Sequence, residues 1–160
     1  MLNNLADIKI YGSLGYDDVL DTDFDLITSN IPAKVGERVL THILLDAKNF
    51  LRPRGRVVVV VIDAIGDYVT KVLSAPGIKI LYHKRWPSHL VFHYEFSSDK
   101  HEVLKTKLNN LKSGTYDRDT KVFSFDGHDI SIKTTYNLSE FDTLDYETNL
   151  LLNNLYILKD

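Results

Sequence analysis

The apolar positions of this chain fall into short runs and stripes with distinct periods. Phe24 to Thr28 is an apolar run that ends abruptly in Ser29-Asn30, with Pro32 two residues further on. It reads as a buried strand that stops there, because Pro32 cannot donate to a ladder and biases Ile31 towards an extended backbone. From Gly36 to Leu51 the residues Val39, Leu40, Ile43, Leu44, Ala47, Phe50 and Leu51 keep helical spacing. That spacing is one apolar stripe. Lys48 and Arg52 sit near its carboxyl end, where the helix dipole favours cations. Pro53 to Gly55 predicts a turn that ends the helix. Arg56 to Asp63 is then a continuous β-branched run, the pattern of a strand covered on both faces in a parallel sheet. Strand, helix and strand with short links make a βαβ unit, right-handed by default.

A shorter helix is predicted over Tyr68 to Leu73, broken by Pro76-Gly77. Ile78 to His83 and Leu90 to Phe96 read as an antiparallel pair of strands joined through Trp86-Pro87-Ser88. Upstream, Asp7 to Tyr11 alternates as a short strand, Gly12 to Gly15 is a turn or loop, and Tyr16 to Asp23 is an acidic loop or short helix. The last third differs in pattern. His101 to Leu111 predicts a helix, and Tyr146 to Leu158 a second one. Between them, Lys121 to Phe125 and Asp129 to Thr135 alternate about Asp126-Gly127, which predicts a β-hairpin. Residues 1–97 are thus expected to form an α/β sheet domain, with 98–160 a helix–hairpin–helix extension packed on it. There is no internal repeat and no low-complexity linker.

Composition narrows the function classes. The chain has 160 residues, enough for one domain with a proper core. Its net charge of −3 supplies no global field towards nucleic acid. Absence of cysteine excludes a disulfide framework, a thiol nucleophile and a Cys-type zinc site, and suits a cytoplasmic setting. The longest apolar run, Val57 to Ile62, is far too short to cross a bilayer, so no membrane partner is expected. His42, His83, His89, His93, His101 and His128 show no tight ligand spacing, and no metal is predicted. Ser88 and Ser124 lack a nucleophile-elbow context. Arg52, Arg54, Arg56, Lys84 and Arg85 are the notable basic grouping, read as a solvated turn or as an RNA backbone contact.

The stretch Phe24-Asp-Leu-Ile-Thr-Ser-Asn-Ile-Pro-Ala-Lys34 resembles motif IV of the class I S-adenosylmethionine-dependent methyltransferases. More narrowly, it is similar to the "methyltransferase small" branch, which includes ribosomal RNA guanine-N2 enzymes. Those carry an apolar strand followed by Asn-Pro-Pro and an aromatic residue. Here the place reads Asn30-Ile31-Pro32-Ala33, so the first Pro is Ile and the usual stacking ring is Ala. The order of elements from about Ile8 to about Phe96 fits as well. The resemblance implies a Rossmann-like sheet, mostly parallel with an antiparallel final pair. It implies that Asn30 and Pro32 form the catalytic turn. The Asn30 amide oxygen would hold the target amino group with help from the Ile31 carbonyl, and positioning would be the main catalytic term. Ala33, Lys34 and Asp63 fall on the substrate side, and Ser13, Leu14 and Ser29 on the cofactor side. Each has a plainer reading. Asn30 and Pro32 are turn residues, Ser13-Leu14 suits an ordinary loop, Lys34 suits a solvated helix start, and Asp63 makes a good N-cap.

The family's Gly-rich turn after a first strand, which lets backbone approach the cofactor at a helix N-terminus, does not occur here. The resemblance therefore implies a sheet incomplete at its N-terminus, as in a fragment or truncated reading frame. The Phe24 strand is then expected to have an open edge, which invites self-association or a partner chain. The expected function is the C-terminal, substrate-side portion of a methyltransferase acting on an amino nitrogen, with RNA as the expected acceptor. S-adenosylmethionine would bind only to the full-length protein. The alternative is a degenerate, non-catalytic methyltransferase-like module that binds a protein partner.

Overall fold

The computed structural model describes residues 8–97, 113–136 and 145–154. Its centre is a four-stranded sheet in the order β1-β2-β4-β3. β1 (Phe24–Asn30) leads through a 3-10 turn into α1 (Gly36–Asp46), and a second 3-10 turn leads to β2 (Leu51–Ile62). α2 (Gly66–Leu73) then precedes β3 (Ile78–Arg85) and β4 (His89–Phe96). β1 and β2 are parallel, whereas β4 is antiparallel to both β2 and β3. The described sheet therefore has one parallel pair, fewer than a mostly parallel sheet requires.

Register assigns the core to one face. Val57, Val59 and Val61 stand opposite Tyr94, Phe92 and Leu90, and all six are fully buried. The apolar stripes of α1 (Val39, Leu40, Leu44) and α2 (Val69, Leu73) close this face and are equally buried. The Tyr94 hydroxyl donates to the Leu44 carbonyl at 2.7 Å, so the largest core side chain leaves no orphan polar atom. The other face carries Val58, Val60, Ile62, Val91 and His93, all only half-buried. The expectation of a strand covered on both faces is corrected accordingly, because the side chains on that side stay partly exposed. β1 is corrected in the same way. It lies at the sheet edge and alternates between half-buried and exposed residues.

Three further expectations change. Arg52-Pro-Arg-Gly55 is not a turn: β2 already begins at Leu51 and carries these residues as a bulge, with Leu51 opposite Phe24 and Arg56 opposite Leu26. Pro53 is tolerated because the bulge frees it from donating. Arg54 takes φ 66°, and a Cβ on Gly55 would meet the Phe24 carbonyl at 2.8 Å. Ile8 to Tyr11 forms no strand. No strand of the described residues pairs with it, and Ile10 is 92% exposed. The helix predicted to Leu51 ends as α1 at Asp46, with Ala47–Asn49 in a 3-10 turn.

The hairpin forms as expected, with β5 (Asp117–Phe125) and β6 (His128–Thr135) turning at Asp126-Gly127. Its open end docks on α1. Arg38 donates to the Gly114 carbonyl at 2.8 Å, and Tyr136 packs against Gly36. α3 (Tyr146–Asn153) is capped by Asp145, whose side chain accepts from the Thr148 amide. The predicted helix at 101–111, and the end of the last helix beyond 154, lie outside the described residues.

Gly36 is constrained twice. Its φ of 72° with ψ of 158° is open essentially to glycine alone, and a Cβ there would lie 2.2 Å from the Tyr136 ring. Gly36→Ala is expected to cost at least about 2 kcal/mol, read as a lower denaturation midpoint with an unchanged slope. The tyrosines predict an alkaline limit. Burial pushes the Tyr94 and Tyr16 hydroxyls well above 10.0. It also raises Tyr116 to about 12, helped by the charges of Asp17, Asp46 and Asp18. The native chain keeps phenolic protons that the unfolded chain releases above pH 10.0. Stability is thus full below that pH and falls as pH rises through about 12. Thermal midpoints measured across this range should decline steadily, and a flat profile would contradict the burial.

Candidate functional site

The carboxyl ends of the parallel strands β1 and β2 lie at one rim of the sheet, where open α/β sheets place their ligands. Asn30 is the last residue of β1 and stands opposite Val60. That register puts its side chain on the open face, with Thr28 and Leu26, and it is exposed. Ser29 points the other way, opposite Val59, towards the helices. The Ile31 amide donates to the Val60 carbonyl at 3.0 Å, and its side chain is buried in the core. Ile31 thus pins the chain one residue beyond the strand and frees Asn30 to face outward. Pro32 is extended (φ −65°, ψ 143°) and opens the 3-10 turn Ala33–Val35. Ala33 and Lys34 are exposed on that turn, and Val35 returns to the core. The segment is therefore fixed at Ile31 and Val35, with polar and small residues displayed between and beside them.

Asp63 follows β2 at the same rim. Its amide donates to the Ser88 carbonyl at 2.9 Å, tying the end of β2 to the β3–β4 turn. Its carboxylate lies 3.1 Å from the Arg85 guanidinium, which also meets Asp67 at 2.7 Å. The Asp67 hydrogen bond, then the Asp63 charge, raise the Arg85 pKa. Asp63 opens a 3-10 turn without capping it, so its charge is spent on Arg85 rather than on a helix start.

Ser13 and Leu14 lie elsewhere. Their loop sits against the flank of α1, where the Leu14 carbonyl accepts from the Tyr116 hydroxyl at 2.9 Å and Ser13 binds the Gly15 carbonyl. Gly15 covers His42, about two helical turns from Gly36. The structure brings Asn30, Pro32, Ala33 and Lys34 together on one turn, with Asp63 at the same rim two strands' width away or less. It sets Ser13 and Leu14 apart from them. An apolar cavity of about 200 Å³, lined by Tyr11, Tyr16, Phe24 and Phe50 among others, opens at the opposite, amino end of β1.

Sequence reading missed a buried polar cluster under that loop. His42 Nδ1 lies 2.5 Å from Asp46 Oδ2, and the ring meets Tyr16 and Tyr116 edge-on. The i, i+4 spacing of His42 and Asp46 was visible, but the tyrosines come from segments remote in sequence. The cluster joins loop, helix and hairpin. Among the described residues no three His, Asp or Glu side chains gather as a metal site, and no helix is long and apolar enough to cross a membrane.

At this rim an exposed amide, two carbonyl-bearing turn residues and a proline can hold a planar or amino-bearing group against the strand ends. They offer no nucleophile and no general base. The chemistry they suit is positioning of a ligand for a reagent that brings its own reactivity.

No protein-family model matches the chain, and no curated protein does. Solved structures do. A ribosomal protein L11 methylase from Lactobacillus delbrueckii subsp. bulgaricus superposes with a TM-score of 0.51 and 22% identity, over 60% of this chain and 48% of that one. The T. thermophilus 16S rRNA N2 G1207 methyltransferase (RsmC), in complex with AdoMet and guanosine, gives 0.56 and 16%, over 89% of this chain and 36% of that one. The second match is too long to be held by residues 1–97 and so reaches into the hairpin extension. The chain spans less than half the length of either protein, and what it shares with both is the methyltransferase fold.

Proposed function

We propose that this chain is the substrate-side part of an S-adenosylmethionine-dependent methyltransferase, and that it presents an amino nitrogen of RNA for methyl transfer. The observation that carries the reading is the placement of Asn30. It is exposed at the carboxyl end of β1, on the open face, with Ile31 locked behind it and Pro32 extended in front. In that setting the Asn30 amide oxygen accepts a hydrogen bond from the target amino group, and the Ile31 carbonyl accepts a second. The nitrogen lone pair would then be free to take the methyl group as the methyl–sulfur bond of S-adenosylmethionine breaks, with the surplus N–H proton passing to water. Pro32 keeps the turn open, Ala33 and Lys34 border the acceptor, and Asp63 stays with Arg85 at the rim. The two methylases of similar fold support the reaction class, and the rRNA enzyme supports RNA as acceptor.

The rest of the enzyme belongs on the free side of β1. Among the described residues that strand pairs with β2 alone, and the open face beside it is half-wet. An edge left bare among the described residues suits a further layer of strands that continues the sheet beyond β1, supplied by more of the same protein or by a partner chain. S-adenosylmethionine would lie where that layer meets Asn30, with Ser29 at the junction. Ser13 and Leu14 would reach it only if their loop moved.

Calorimetric titration of S-adenosylhomocysteine tests the reading. The 160-residue chain is expected to give no heat of binding, and the upstream-extended chain to bind. In that longer chain Asn30→Ala should lower methyl transfer by about 100-fold or more with cofactor affinity unchanged. Silence from both chains would leave the partner-binding module as the better account. Sedimentation tests the bare edge: the 160-residue chain should associate as its concentration rises, and Leu26→Lys should abolish this. A strictly monomeric wild type would remove the edge from the argument.

A further inference from the structure

Trp86 stands at the same rim as Asn30 and is not used by the mechanism above. It is the chain's single tryptophan and is 49% exposed. Its amide donates to the His89 carbonyl at 2.7 Å, and Pro87 follows, so the backbone beneath the ring is held extended. Lys84 stands opposite Val91, which belongs to the open face, and its ammonium lies 4.0 Å above the indole ring. The ring therefore lies on the face to which Asn30 points. Arg85, in contrast, is turned towards the helices and is neutralised by Asp63 and Asp67. Lys84 has no carboxylate partner among the described residues, so its charge remains available beside the indole.

Distance defines what this ring can touch. Asn30 is level with Val60, and Trp86 is level with His89 and Ile62. About three strand spacings across and two residues along put the two sites roughly 15 Å apart. Trp86 is too far away to stack on a group held at Asn30. A ligand that reaches both must be a polymer, with one unit at Asn30 and another on the indole. A flat, exposed ring with a cation on one side is the arrangement that takes an unpaired nucleobase and its phosphate.

We infer that Trp86 and Lys84 form a stacking platform for a nucleobase of single-stranded RNA, flanking the unit held at Asn30. The inference rests on the methyl-transfer reading for the role of Asn30 alone. The single tryptophan makes the test direct. Indole emission of the 160-residue chain would be followed while a single-stranded RNA of about twelve nucleotides, or inorganic polyphosphate of equal charge, is added. Saturable quenching by RNA but not by polyphosphate is expected. Trp86→Ala should weaken RNA binding by about tenfold, read by anisotropy of labelled RNA, and Trp86→Phe should restore most of it. Lys84→Ala should weaken binding and flatten its salt dependence. Unchanged emission, equal quenching by polyphosphate, or wild-type affinity in Trp86→Ala would overturn the platform. So would a blue shift that grows with protein concentration alone, because it would mean that another protein layer covers the ring. Cofactor binding by the extended chain without quenching would sink the platform and leave methyl transfer standing; quenching without cofactor binding would do the reverse.

Discussion

β2 joins the parallel edge strand to the antiparallel pair, and the rest of the structure hangs from it. Its Val57, Val59 and Val61 meet β4 on one side and share a face with Ile27 and Ser29 of β1 on the other. α1 and α2 have an apolar surface to settle on because these side chains line up. The same ladder sets the candidate site. Asn30 can face outward because the Ile31 amide is taken by the Val60 carbonyl, and Asp63 reaches the rim because β2 runs unbroken to Ile62.

A second set of contacts holds the parts that the sheet does not reach. Tyr116 and Tyr136, at the open end of the hairpin, grip α1 at His42 and Gly36. Tyr16 donates to the Ile43 carbonyl, and its loop meets Tyr116 at Leu14. One helix is thus clasped by the loop before β1 and by the extension. The candidate turn, which leads straight into that helix at Gly36, is steadied from both.

What was legible in the sequence follows from the range of the interactions involved. The strands at Phe24, Val57, Ile78 and Leu90, both helices of the sheet and the Asp126-Gly127 hairpin were all readable, because period and turn chemistry are local. Placing Asn30 at a strand end needed only the apolar run and Pro32. Arg52 to Gly55 misled because proline and glycine mark a turn and a bulge equally well, and only the partner strand distinguishes them. Ile8 to Tyr11 misled in the opposite sense: its alternation is a strand pattern that no strand among the described residues completes. His42 with its two tyrosines, and Tyr136 on Gly36, were invisible because each joins residues remote along the chain. The setting of Ser13 and Leu14 against α1 was hidden for the same reason.

The one-sided core has a thermal consequence. Unfolding raises the heat capacity in proportion to the apolar surface newly wetted, and Val58, Val60 and Ile62 are already partly wet in the native state. The heat-capacity increment per residue is thus smaller than in a sheet roofed on both sides. The curve of stability against temperature is correspondingly flat. Any layer laid on that face would sharpen the curve as well as raise it, changing how the chain responds to temperature and not merely the temperature at which it melts.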